Sequence, residues 1–169
     1  MALLKVVLYP DDPLTQVSDP YDSVGPALVR LADDMLETMQ VHEGVGLAAP
    51  QVGIARRMFV MQEPEKEPRC LINPEILFSE GHVLGEEGCL SLPALYYDGV
   101  PRAEVIRVRA LDLAGELTEF EARDFEARII QHELDHLDGI VFLDRLDVLT
   151  RQSLLTEWEA LRARSMAES

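Results

Sequence analysis

The sequence predicts an α+β protein with largely antiparallel sheet, and three observations carry that expectation. Helical spacing of apolar residues occurs near the front, in the last third and at the end of the chain. Short β-rich runs gather between the first two of these stretches. Strand and helix do not alternate in the way a parallel sheet requires.

Leu4 to Tyr9 reads as a strand ended by Pro10-Asp11-Asp12-Pro13. From Pro26 to Val41 the pattern is helical, with Leu28, Leu31, Met35 and Met39 on one stripe. Ser23 is a cap near its start, and Gly44 lies shortly past its end. The β-rich middle comprises Met58 to Gln62, Cys70 to Asn73 and Glu75 to Leu84. Glu104 to Asp112 and Leu117 to Ala122 read as strands joined across Leu113-Ala114-Gly115. A second helix spans Phe125 to Leu137, with Asp124 as cap and Gly139 just beyond. A third spans Val148 to Arg164, capped by Asp147, with Leu154, Trp158 and Leu161 on one face.

The 169 residues carry no repeat, low-complexity tract or linker, so residues 1–169 read as a single domain. Apolar residues at 47% and charged residues at 27% exclude a disordered chain. A net charge of −16 repels phosphate backbones and anionic lipid, which argues against direct nucleic-acid binding or a membrane role. The apolar opening is too short and too weakly charged for a signal peptide. Cys70 and Cys89 are the only cysteines and make no disulfide framework, so a reducing cytoplasm is expected.

The sharpest chemical feature is His132-Glu133-Leu134-Asp135-His136, an H-E-x-x-H inside the second predicted helix. A helix turn takes about 3.6 residues, so His132 and His136 share a face and can bind one metal. Glu133 stands about 100° round from His132, able to address a water at the metal without being a ligand. Apolar neighbours on several sides predict a helix buried nearly all round, where unpartnered histidines and a glutamate are costly. A catalytic metal needs a third protein ligand. Either a downstream acid such as Asp144 or a cysteine fits. Cys89 sits in a Gly- and Pro-marked loop, Glu86 to Pro93, whereas Cys70 reads as a buried strand residue. Gly44 to Gly53 is neither a P-loop nor a dinucleotide fingerprint. It says only that backbone approaches something closely there, and that Gln51 offers an amide.

Taken together and in this order, GVGLAAPQ (44–51), EGCLS (87–91) and QHELDH (131–136) resemble the three signature motifs of the peptide deformylases. The likeness continues through VLYPDDPL near the start and PRAEVIRVRALDLAGE in the middle. It implies antiparallel sheets packed around the central helix that carries H-E-x-x-H, followed by a C-terminal helix. It also implies Cys89, His132 and His136 as metal ligands, and Glu133 as general acid/base. Gln51 and the backbone N–H of Leu90 become oxyanion donors, and Gly46 a contact to the substrate backbone. Val45, Phe125 and Ile129 are the candidate walls of a methionine pocket. Ligand chemistry alone points to zinc. The resemblance points to iron(II) (Fe2+), with Zn2+, Ni2+ or Co2+ able to substitute. The implied substrate is a nascent formyl-Met polypeptide, met near the ribosome.

This chain departs from the pattern after Pro93, where many bacterial members have Gly and this sequence has Ala94-Leu95-Tyr96-Tyr97-Asp98. Tyr96 and Tyr97 are expected at the cleft mouth, and Arg102 is suited to pair with Glu87 and brace the cysteine loop. Rival readings fare worse. A zinc peptidase would want a third His or Glu downstream, and Leu137-Asp138-Gly139 does not extend to one. An inactive, metal-stabilised binding module would lack Glu133 or Gln51, and a structural metal site would prefer four protein ligands. His42 and His82 lie in polar, loop-like contexts and read as surface residues.

Overall fold

The computed structural model describes residues 2–168, with side chains through Arg164. Its helices are α1 (Pro26–Val41), α2 (Asp124–Leu137) and α3 (Val148–Glu168). Its strands are β1 (Gly46–Ala48), β2 (Met58–Met61), β3 (Arg69–Glu80), β4 (Val83–Cys89), β5 (Leu92–Arg102), β6 (Val105–Leu111) and β7 (Leu117–Arg123). Five strands form one sheet in the order β1-β2-β3-β6-β7, and β4-β5 form a separate two-stranded ribbon. Every ladder between these strands is antiparallel.

Strand β2 shows why two helices are needed, since all four of its residues are buried. Side chains alternate across a strand. Phe59 and Met61 therefore face one way, onto Ala127, Ile129, Ile130 and Leu137 of α2. Met58 and Val60 face the other way, onto Leu28, Met35 and Met39 of α1. The sheet is thus covered on both faces, and α2 is buried along most of its length. A third cluster joins Leu92, Leu95 and Val100 of the ribbon to Phe142, Leu154 and Trp158. Leu161 packs beside it, as the predicted face of α3 requires.

Helix α1 has the expected bounds, but Ser23 does not cap it. Gly25 holds the cap position without a side-chain bond, and Pro26 opens the helix. The left-handed residue after it is Glu43 (φ 57°), and Gly44 instead leaves room for the Leu90 side chain, which packs closely against it. Asp124 is likewise not a cap: it is the first helical residue, at φ 54°, with Arg123 before it. Asp147 does cap α3, accepting from the Thr150 N–H at 2.9 Å.

Leu4 to Tyr9 joins no sheet, and Tyr9 already lies in a turn. The segment's N–H groups go to different elements, Leu4 to Thr38 Oγ1, Val7 to Gln51 O and Tyr9 to Ser91 O, so no single ladder forms. The two strands expected over 70–73 and 75–84 are one strand ending at Glu80, with a register shift about Asn73 (φ 51°). The Asn73 side chain bonds both backbone groups of Tyr21 at 2.8 Å, which holds the shift in place. Val83 and Leu84 instead begin β4.

The largest correction concerns the cysteine segment. Glu86 to Cys89 is strand, not loop, and Leu92–Arg102 pairs with it despite Pro93, Gly99 and Pro101. A ribbon of two strands leaves outer edges free, where proline's missing N–H does no harm. Pairing jumps from Gly88↔Tyr96 to Cys89↔Leu92, so Pro93, Ala94 and Leu95 bulge out. Ala94 sits there at φ 68°, a left-handed conformation that favours glycine. Tyr97 packs into the third cluster, while Tyr96 is 64% exposed.

Ala94 is exposed, so removing its methyl uncovers no core. Ala94→Gly is expected to stabilise by about 0.5–1 kcal/mol once glycine's own chain entropy is subtracted. Thermal unfolding should then shift upward by roughly 1–4 °C. A Tm that stays or falls would mean the bulge does not strain Ala94.

Candidate metal centre

His132 and His136 lie one turn apart on α2, with their Nε2 atoms 3.3 Å apart. Cys89 Sγ, from the end of β4, lies 3.3 Å from His136 Nε2. The three donor atoms all fall within 4.8 Å of one another. Both histidines are buried, His136 completely. Two imidazole nitrogens and a sulfur converging in a buried space suit a divalent cation, and a mixed Cys/His₂ set is ordinary for one. Asp144 is otherwise employed: its carboxylate accepts from the Val141 N–H at 3.0 Å and from Arg151 at 3.1 Å.

Cys70 is not in the cluster. It stands half-buried on β3, beside the α1 core, and burial pushes its thiol up to about 12. His42 and His82 are exposed and also lie outside the donor set.

Glu133 is buried next to the donors, with Oε2 3.9 Å from His132 Nε2 and Oε1 without a partner among the described residues. Burial raises its carboxyl to about 7, with His132 pulling the other way. Gly46 makes room for it: a Cβ at Gly46 would overlap the Glu133 carboxylate. Gln51 is 1% exposed and fixed at both ends of its amide. Its Oε1 accepts from the Ala48 N–H at 2.9 Å, and its Nε2 donates to Ser91 Oγ at 3.1 Å and toward Cys89 Sγ at 3.4 Å.

These groups open onto a cleft of about 780 Å³. Val45, Gly46, Gln51, Leu90, Phe125 and Ile129 all line it, as do Cys89, His132 and Glu133. Ile129 is buried, Val45 half-buried, and Phe125 46% exposed at the margin. Tyr96 lines the cleft too, but Tyr97 does not, which corrects half of the expectation for that pair. Leu90 occupies the turn between β4 and β5.

Behind the donors runs a network of buried charge. Arg102 meets Glu87 through Nε and Nη2, both at 2.8 Å, which is the expected pairing in bidentate form. Glu87 also receives Arg128 Nη1 at 2.6 Å and His132 Nδ1 at 2.8 Å. Burial opposes ionisation of Glu87, but hydrogen bonds from Arg102 and His132 win and lower it to about 2. Arg102 Nη1 reaches Asp135 at 2.6 Å, and Arg145 closes on the same carboxylate at 2.6 Å. Asp135, Arg128 and Arg145 were not singled out in the sequence, and neither was Ser91. Asp135 lies inside H-E-x-x-H, and its burial on a helix face was the available signal.

The bond to Glu87 fixes the His132 tautomer, leaving Nε2 to face the donor set. Burial disfavours a proton on His132, yet Glu133, Cys89 and Glu87 hold its pKa well above the ordinary value. His136 goes the opposite way, driven well below the ordinary value by burial and by His132 and Arg102. A proton on His132 Nε2 and a cation there are alternatives, so an ion held by this nitrogen would take the proton's place beside Glu133, Cys89 and Glu87.

The chain matches the family model described as polypeptide deformylase over residues 3–152. It is 49% identical to a peptide deformylase of Alkalilimnicola ehrlichii, across 95% of this chain and 92% of the relative. It is 45% identical to one from Chromobacterium violaceum, across 98% and 100%. The fold superposes on the crystal structure of peptide deformylase from Thermus thermophilus with a TM-score of 0.92, at 44% identity and coverage of 98% and 99%. It superposes on that from Ehrlichia chaffeensis in complex with actinonin with a TM-score of 0.88, at 37% identity and coverage of 93% and 96%. By sequence across nearly its whole length, and by a fold that coincides with solved relatives, the chain belongs to the polypeptide deformylase family.

Proposed function

We propose that this chain hydrolyses the N-formyl group from the N-terminal formyl-methionine of newly synthesised polypeptides and releases formate. The observation that carries the reading is the convergence of Cys89, His132 and His136 beside Glu133, at a cleft lined by Gln51 and Leu90. Cys89, His132 and His136 would hold a divalent ion, which would supply Lewis acidity and lower the pKa of water toward neutrality. Glu133 takes the proton of the attacking water and delivers it to the leaving amine. Gln51 Nε2 and the Leu90 N–H donate to the formyl oxygen as charge gathers on it. Gly46 contacts the substrate backbone, and Val45, Phe125 and Ile129 receive the methionine side chain.

The native ion is iron(II) on this reading, with Zn2+, Ni2+ or Co2+ able to take its place. The substrate is a nascent polypeptide met near the ribosome in the cytoplasm, and residues 1–169 act as one catalytic domain. No described helix is long and apolar enough to cross a membrane. The net charge of −16 supports action on the peptide without direct nucleic-acid binding.

Anaerobic assay of formate release, with metal content measured on the same sample, tests the proposal. Formyl-Met peptides should react at least about tenfold faster than acetyl-Met peptides, because a tight site resists one extra methyl. Equal rates, or cleavage of an internal bond, would point to a peptidase instead. Glu133→Ala should keep its metal while turnover falls by about 10² or more. If metal leaves with the activity, Glu133 is a ligand or a folding element. Cys89→Ser should weaken metal binding sharply, and Cys70→Ser should leave it unchanged. The reverse outcome would overturn the ligand assignment.

A further inference from the structure

The donor set is divided between two bodies. His132 and His136 belong to α2, which packs on the five-stranded sheet, whereas Cys89 belongs to the β4-β5 ribbon, which among the described residues is hydrogen-bonded to no other strand. A two-stranded ribbon is marginal by itself. Its position over α2 must be fixed by something other than a ladder.

Arg128 is placed to do this. It precedes His132 by four residues, so it shares that face of α2 and is 12% exposed. Its Nη1 donates to Glu87 Oε2 at 2.6 Å and to Val100 O at 3.0 Å, and its Nη2 donates to Val83 O at 3.0 Å. One side chain of α2 thereby grips the backbone of both ribbon strands, together with the carboxylate that orients His132. The guanidinium also fills the space above Gly85, where a Cβ would lie 2.8 Å from Arg128 Cζ. Gly85 is not in the left-handed region, so its backbone does not call for glycine; the packed guanidinium does. An exposed arginine pair would be worth little. This one is largely shielded, and its planar fork meets several acceptors that a lysine could not reach together.

We infer that Arg128 is a positioning residue for metal retention, clamping the β4-β5 ribbon so that Cys89 stays within reach of the ion held by His132 and His136. The inference rests on the reading of Cys89, His132 and His136 as ligands. Without the clamp the ribbon keeps the Arg102–Asp135 pair, the Glu87–His132 bond and its apolar cluster, but Cys89 gains play over the two histidines and the ion is held more weakly.

Anaerobic titration of the metal-free protein with Co2+ tests it, read by the thiolate-to-cobalt charge-transfer absorption and the dissociation constant. Arg128→Met should bind Co2+ about 10–100-fold more weakly, with the charge-transfer band reduced relative to the ligand-field bands. Arg128→Lys should fall between, since it keeps the charge beside Glu87 but not both carbonyls. Gly85→Ala should also weaken binding, though it alters no charge, because the new methyl unseats the guanidinium. If Arg128→Met does not fold, Gly85→Ala decides the matter. Parental affinity and spectrum in the folded variants, with or without a lower apo-protein Tm, would make Arg128 merely structural and overturn the inference. A parent that binds Co2+ with no thiolate band would defeat the ligand reading itself, and this inference with it.

Discussion

A carboxylate with almost no access to water must be neutralised where it stands, and Glu87 is 6% exposed. Much of the site follows from how this is done. Its charge is met by Arg102 from its own ribbon, by Arg128 from α2 and by His132, so one group joins the two bodies that carry the metal donors. Asp135 repeats the device from the α2 side, with Arg102 and Arg145. Buried ion pairs are poor stabilisers, because desolvation offsets the attraction, and an apolar cluster of equal volume could hold the ribbon as firmly. Apolar contact, however, cannot orient an imidazole. The network supplies direction: Glu87 faces His132 Nδ1, and the opposite nitrogen is thereby aimed at the donor set.

Close approach of backbone is the second constraint, and it explains glycines that are not serving as turns. At Gly46 the missing side chain is the space that Glu133 occupies. At Gly44 it admits Leu90, the residue after Cys89, against the start of β1. The Gly-rich segment thus packs against α2 through one glycine and against the cysteine turn through another. Gln51 completes the arrangement, tied to Ala48 of its own segment and to Ser91 of the cysteine turn. Three segments far apart in sequence meet with little slack, as a close-packed interior demands.

The sequence made the helices and the two candidate histidine donors legible because both depend on short-range spacing. His132, Glu133 and His136 declare themselves through one turn of helix, and the β6-β7 strands through a short Gly-marked turn. The ribbon was obscured because Pro93, Gly99 and Pro101 look like loop signals until the strand is known to have a free edge. Leu4 to Tyr9 has the composition of a strand, and only tertiary contacts show that its donors are shared among three partners. The choice between Asp144 and Cys89 also depended on long-range geometry, since each is plausible by residue type. Arg128 was hidden for the same reason: its acceptors lie 28 to 45 residues away along the chain.

The ligand chemistry bears on where catalytic power must come from in the proposed reaction. On that reading a thiolate at Cys89 would cancel part of a divalent ion's charge, and the centre would polarise a carbonyl less strongly than one built from neutral histidines. The remaining stabilisation falls to groups already held in place before substrate arrives. Gln51 is suited to that task because its amide cannot rotate without breaking the bond to Ala48. Glu133 is suited for a different reason: its Oε1 has no protein partner to give up, and burial leaves its carboxyl more basic than an exposed one. In the proposed reaction a weaker Lewis acid would thus be matched by a stiffer donor and a stronger base. The same reasoning explains why these residues are packed by glycines and buried charge, not left on a flexible rim, since preorganisation helps only while the groups stay fixed.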